Sequence, residues 1–177
     1  MSQTYLIGLS IGPVQDFIAA ARKLRDLWFG SYLLSELSKK AALSLYEQDA
    51  ELIFPAPENP KQDLTPDSDL RAANKIIASI ATQNPKSVFS FVKKTLIDFW
   101  EHELAFKTIK GQQDLLDKKL FQNQIQDFLE IYAAWTPFEG RSYIQARKRL
   151  EAILSARKNT REFGQPKYFS PGQAGVP

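Results

Sequence analysis

Thr4 to Ile11 is apolar at nearly every position, with β-branched or aromatic residues at several, and the run breaks at Gly12-Pro13. Such a run predicts a buried strand. A buried strand cannot stand alone. Its backbone groups need neighbouring strands, and its side chains need a covering layer. A helical pattern starts directly after the break. Pro13 suits a first helical position, where its missing N–H would be unpaired anyway. Val14, Phe17, Ile18, Ala21, Leu24 and Trp28 recur at helical spacing and form one apolar stripe, with Trp28 and Leu34 expected in the core. Gly30-Ser31 allows a kink, and Leu33, Leu34, Leu37, Ala41 and Leu45 carry a second stripe to about Glu47.

The rest of the chain supplies partners for that strand. Glu51 to Phe54 reads as a short strand stopped by Pro55 and Pro57. Residues 58–70 are rich in Pro, Asp and Asn and predict an exposed loop. Lys75 to Thr82 is a third strand, and Asn84-Pro85 opens a helix to about Phe106, with Phe89, Val92, Leu96, Phe99 and Trp100 inward. Gly111 to Asp117 is a polar connection, Leu120 to Phe128 a helix, and Phe128 to Trp135 a fourth strand or extended segment. Arg141 to Arg161 is a final helix with Tyr143, Ala146, Leu150, Ile153 and Leu154 on one side. Two split βαβ halves in this order predict an α+β, ferredoxin-like fold: an antiparallel sheet with helices packed on one face. Residues 1–163 form that domain, and 164–177, rich in Gly and Pro, are expected to be a flexible tail.

Composition narrows the chemistry. A chain of 177 residues with 44% hydrophobic content supports one domain with a real core. With no cysteine, disulfides and thiolate metal sites are excluded. The one histidine, His102, rules out histidine-clustered zinc sites and reads as structural or exposed. No signal peptide and no membrane-spanning run are present, so a soluble, cytoplasmic protein is expected. The net charge of +3 leans mildly toward polyanions.

Two segments offer binding chemistry. At the strand-to-helix turn, first-turn N–H groups without intrahelical acceptors, with the helix dipole, favour an anion. Gly12 permits close approach, Ser10 and Gln15 could hydrogen-bond a phosphate or base, and Arg22 and Arg25 follow on adjacent turns. The plainer reading pairs Arg22 with Asp26 and leaves Gly12-Pro13 as a turn; the Gly-rich run and Lys-Ser/Thr pair of a phosphate loop are absent. The second segment is Arg141 to Phe163. Its Arg147, Arg157, Lys158 and Arg161 could track an RNA backbone. Equally, Arg147 could pair with Glu151 while the last cations answer the helix dipole. Two-metal nucleotidyl transfer needs acidic residues at strand ends. The first strand ends on Ser10 and the third is followed by Gln83, so no catalytic residue and no metal ligand is assigned.

The stretch IGPVQDFIAAARKLRDLWFGSYLLSEL resembles the start of the first palm-like domain in the large subunit of type III CRISPR effector complexes, closest to the III-B branch. The likeness lies in Gly12 to Gln15, Ala21 to Lys23, Arg25 to Trp28, Gly30, Ser31 and Leu33 to Ser35, and extends to ELIFPA, NKIIA and SARKNTREF. The resemblance implies an antiviral subunit with two facing cyclase-type palms that polymerises ATP into cyclic oligoadenylate, using Mg2+ or another divalent metal, when target RNA binds. It implies other effector subunits, guide RNA and a second palm as partners. The Gly-Gly-Asp-Asp motif of the second palm and the HD nuclease motif are not found in these residues. This chain therefore reads as part of a longer or split subunit, inactive alone and requiring no cofactor by itself. Ser10, Gly12, Gln15, Arg22 and Arg25 would line one side of the ATP cleft. The alternative is a non-catalytic RNA- or protein-binding scaffold.

Overall fold

The computed structural model describes residues 2–14, 18–19, 21–105, 111, 117–138 and 142–160. Strand β1 (Gln3–Gly12) is followed by helix α1 (Leu24–Tyr46), strand β2 (Glu51–Phe54) and a single helical turn α2 (Pro60–Asp63). Strand β3 (Lys75–Thr82), helix α3 (Pro85–Phe99) and a π-helical turn (Trp100–Ala105) come next. Helix α4 (Lys118–Phe128), strand β4 (Glu130–Pro137) and helix α5 (Tyr143–Asn159) complete the described chain.

The strands form one sheet in the order β2-β3-β1-β4. Every pairing is antiparallel, with Ile7 opposite Ala78 on one side and Trp135 on the other. This is the ferredoxin-like arrangement expected of two split βαβ halves. The long apolar run is β1, and it is central because only a strand flanked on both sides can satisfy such a buried backbone.

The helices do not share one face, which corrects that part of the expectation. Side chains alternate along a strand. Ile7, Leu9 and Ile11 of β1 join Ile76, Ala78, Ile80, Ile131 and Ala133 beneath α1 and α3. Leu6, Ile77 and Ala134 point the other way and pack with Ala146, Leu150 and Leu154 of α5. The cause lies in β1 itself. A strand apolar at consecutive positions exposes a hydrophobic surface on each face, and both need a cover. Gly8 permits the second cover to sit close, since a Cβ there would lie 3.1 Å from Leu150 Cδ2.

The first helix also differs from its expected form. Val14, Ile18 and Ala19 are helical, as expected after Pro13, but the pattern is interrupted at residues 21–23 and the long helix α1 begins afresh at Leu24; residues 15–17 and 20 lie outside the described residues. Lys23 is extended (φ −133°, ψ 156°), and the Asp26 carboxylate accepts hydrogen bonds from the backbone N–H of Arg22 (3.2 Å) and Lys23 (3.1 Å). That carboxylate starts a fresh helix by occupying otherwise orphaned donors. Gly30 is then buried inside the helix. The head of α1 extends beyond the core: Leu24, Leu27, Trp28 and Phe29 are exposed, with Trp28 at 64%. Trp28 is thus not a core residue, while Leu34 is. Its ring stacks on Tyr32 at 5.6 Å.

The segment 58–70 is exposed at most positions, yet Leu64 is buried in the core under α1. A polar latch holds the residues that follow. Ser35 Oγ accepts from Ala72 N–H at 3.0 Å. Glu36 Oε2 accepts from Asp67 N–H at 3.1 Å, and Glu36 Oε1 pairs with Lys39 Nζ at 2.6 Å. Lys39 also donates to Ser68 Oγ at 3.1 Å, and both charged side chains are almost wholly buried.

Candidate functional site

The sheet divides the nucleotide candidates among different surroundings. Ser10 lies opposite Lys75 of β3 and Tyr132 of β4. Alternation from Leu6 turns its side chain to the α5 face, where it is 4% exposed. Gly12 lies opposite Glu130, whose Oε2 stands 3.4 Å from where a Cβ would be. The Glu130 side chain thus packs close against the Gly12 backbone. Gln15 lies outside the described residues. Arg22 and Arg25 are exposed around the start of α1, and Arg25 Nε lies 3.6 Å from Asp26 Oδ1 with its side chain 81% exposed. The expected pairing of Arg22 with Asp26 takes the form of a backbone bond, which leaves the Arg22 guanidinium out of the cap. The turn therefore brings a small buried polar group and a glycine to one strand end, and sets two exposed guanidinium groups on the next helix.

The α5 face carries a compact charge network. Glu151 Oε1 lies 2.8 Å from Lys75 Nζ and 2.8 Å from Arg147 Nε. Arg147 Nη1 donates to the Tyr143 hydroxyl at 2.9 Å. The hydrogen bond from Lys75, then that from Arg147, holds the Glu151 carboxyl below its ordinary range. Of the RNA candidates, Arg147 is thus engaged inward, Arg157 and Lys158 are exposed in the last turn of α5, and Arg161 lies outside the described residues. Sequence reasoning could find the Arg147–Glu151 pair from its i, i+4 spacing. It could not find Lys75, which comes from β3. It also missed the buried Glu36–Lys39 pair, because lysine is among the residues least often buried.

On the second side of the sheet, the Tyr32 hydroxyl donates to Asp67 Oδ1. That bond, helped by desolvation, pushes the Tyr32 phenol up to about 12. Among the described residues, no group of three or more His, Cys, Asp or Glu could hold a metal ion. No helix among them is long and apolar enough to cross a membrane.

A family model described as CRISPR-associated protein Cmr2, N-terminal, matches residues 6–130. The chain belongs to this family. It is 26% identical over 155 residues to the CRISPR system Cmr subunit Cmr2 of Pyrococcus furiosus, covering 73% of this chain and 18% of that protein. It is the N-terminal region of a type III CRISPR large subunit, as the motif from Gly12 to Ser35 implies. Solved structures of the Csm1–Csm4 cassette are also similar. The apo form has a TM-score of 0.49 at 18% identity, covering 89% of this chain and 18% of that one. The form in complex with AMPPNP has a TM-score of 0.48 at 20% identity, covering 89% and 19%. The chain thus spans under one fifth of the relatives it matches. The Cmr2 relative is by name a subunit of a larger system, so other subunits are its partners.

Proposed function

We propose that this chain is the first palm of a type III effector large subunit, and that it lends one wall to an ATP site while supporting assembly with other subunits and guide RNA. The observation that carries the reading is the cationic head of α1, where Arg22, Lys23 and Arg25 are exposed at the start of the helix. The resemblance of the stretch from Gly12 to Ser35 to the start of a first palm, whose turn and helix head would face a nucleotide, is what puts that head beside ATP in this reading. ATP and Mg2+ belong to the full subunit in this reading. The chain's own part is to bind and orient phosphate oxygens with fixed donors. Nucleotidyl transfer uses carboxylates supplied outside these residues.

The test is Arg22→Gln with Arg25→Gln in the full-length subunit, with binding of a non-hydrolysable ATP analogue followed by calorimetry. Each charged hydrogen bond lost is worth about 1.5–3 kcal/mol. Affinity is therefore expected to fall by roughly a hundredfold or more, at 1.4 kcal/mol per tenfold. Unchanged affinity overturns the site assignment, and ATP turnover by the purified 177-residue chain would overturn its non-catalytic role.

A further inference from the structure

Trp28 is 64% exposed, yet its ring is held. It stacks on Tyr32 with the planes 10° from parallel. The Tyr32 hydroxyl donates to Asp67 Oδ1, and the Asp67 N–H donates to Glu36 Oε2 at 3.1 Å. Glu36 is tied in turn to Lys39 inside the fold. A buried ion pair thus orders an aromatic pair at the surface. Fixing a side chain that buries little of itself costs rotamer freedom and gains the fold little. The residues around the indole are also sorted. At about 3.6 residues per turn, Arg25, Trp28, Phe29 and Tyr32 fall within an arc of about 100°, with Arg25 between Trp28 and Phe29. Leu27 lies on the far side of the helix. Arg22, Lys23, Arg25, Trp28 and Phe29 are all exposed. Asp26 is the one carboxylate among them; its Oδ2 accepts from two backbone N–H groups, and its Oδ1 lies 3.6 Å from Arg25 Nε. The head of α1 therefore keeps a positive balance beside a flat aromatic surface.

We propose that the exposed Trp28 ring stacks on the base of the nucleotide whose phosphates Arg22 and Arg25 bind, with Tyr32 behind it as a positioning residue. The inference rests on the ATP reading and assigns the half of the ligand which that reading leaves uncontacted. A nucleotide joins a planar ring to an anionic chain, so its site needs an aromatic face and cations within a few ångströms of each other. Trp28 and Arg25 meet that need, being three residues apart and therefore neighbours on the helix surface. An aromatic side chain stacks on any base, because every base has a π-face. Trp28 would thus favour the larger purine ring over a pyrimidine without telling adenine from guanine. The one-sided charge favours an anionic ligand over a protein partner, whose interface would centre on an apolar core poor in lysine. Tyr32 and Asp67 act through Trp28: they fix the plane of its ring before the base arrives, which lowers the ordering cost of binding.

The test is calorimetry on the full-length subunit with two probes, a non-hydrolysable ATP analogue and inorganic tripolyphosphate, which separate base from phosphate. Trp28→Ala should weaken the analogue by roughly five- to a hundredfold and leave tripolyphosphate unchanged. Trp28→Phe should restore part of the loss, and Tyr32→Leu should weaken the analogue alone, by less than Trp28→Ala. Wild type should prefer the adenosine analogue to its uridine counterpart, and Trp28→Ala should narrow that preference. Circular dichroism checks that each variant is folded. Unchanged analogue affinity in Trp28→Ala, with both probes weakened by Arg22→Gln and Arg25→Gln together, overturns the stacking and leaves the phosphate contacts standing. A loss confined to the analogue in Trp28→Ala, with the arginine variant unchanged, supports the stacking and overturns the phosphate contacts. An equal loss of both probes in Trp28→Ala overturns the stacking. So does a Trp28→Ala subunit that keeps both affinities and loses a neighbouring subunit on size exclusion, which would assign the ring to a protein contact.

Discussion

Replacing Lys39 with methionine removes an ammonium group while keeping most of the side-chain volume. Lys39 is 1% exposed and its partner Glu36 2% exposed. In the variant, the Glu36 carboxylate stays buried and retains the Asp67 N–H as its hydrogen-bond donor. Removing one partner of a buried pair costs about 3–5 kcal/mol, chiefly through the uncompensated charge. Against a total stability on the order of 5–15 kcal/mol, that is a large share. With a urea m-value of about 2 kcal/mol/M, the unfolding midpoint should fall by roughly 1.5–2.5 M. Urea unfolding followed by tryptophan fluorescence measures it. The double variant Glu36→Gln, Lys39→Met removes both charges and keeps an acceptor for Asp67, so it should be more stable than Lys39→Met alone. A midpoint shift under about 0.5 M in the single variant would show that the Glu36 charge is solvated. A double variant no more stable than the single would show that packing, not charge, sets the cost. Either result refutes the argument.

Two further perturbations probe the α5 face. Gly8→Val places branched carbons where a Cβ already lies 3.1 Å from Leu150 Cδ2. It should cost about 1–3 kcal/mol by overpacking and speed amide exchange in α5; unchanged exchange there would contradict the close contact. Glu151 is held below its ordinary carboxyl range, so its ionised form favours the fold. That contribution is complete above the unfolded value, about 4.5, and is lost as pH falls through the lower folded value. Denaturation curves for wild type and Glu151→Gln should therefore converge as pH drops below about 4.5; a gap constant with pH would argue against the pairing.

Much of the architecture was legible because the signals were periodic and local. The runs at 4–11, 51–54 and 75–82 became strands, and Val92, Leu96 and Phe99 faced the core as their spacing required. The break before Leu24 was not legible from apolar spacing, since a single carboxylate, Asp26, decides it through two backbone N–H groups. Trp28 was misplaced because a helical stripe states which residues share a face, not whether that face meets the core. The second cover on the sheet escaped notice for a related reason. A continuous apolar strand demands protection on both faces, but the helix that supplies it begins at Tyr143, far along the chain. At the site, Ser10 and Gly12 were visible as residue types. Their neighbours Lys75, Tyr132 and Glu130 arrive through strand pairing, which no local pattern reports.

The central position of β1 has a consequence for how the chain is made. Its most apolar strand leaves the ribosome before the strands that flank it, since its two neighbours, β3 and β4, begin only at Lys75 and Glu130. At 5–20 residues per second, β1 waits roughly 6–24 s for its second neighbour. During that interval a run such as Leu6 to Ile11 is open to pairing with any other nascent strand. Pairings this distant in sequence are also the slowest to form once available. Production of this domain should therefore be limited by the protection of one early strand during synthesis, and holding chaperones or slower initiation should raise the folded yield more than any stabilising change in the finished core.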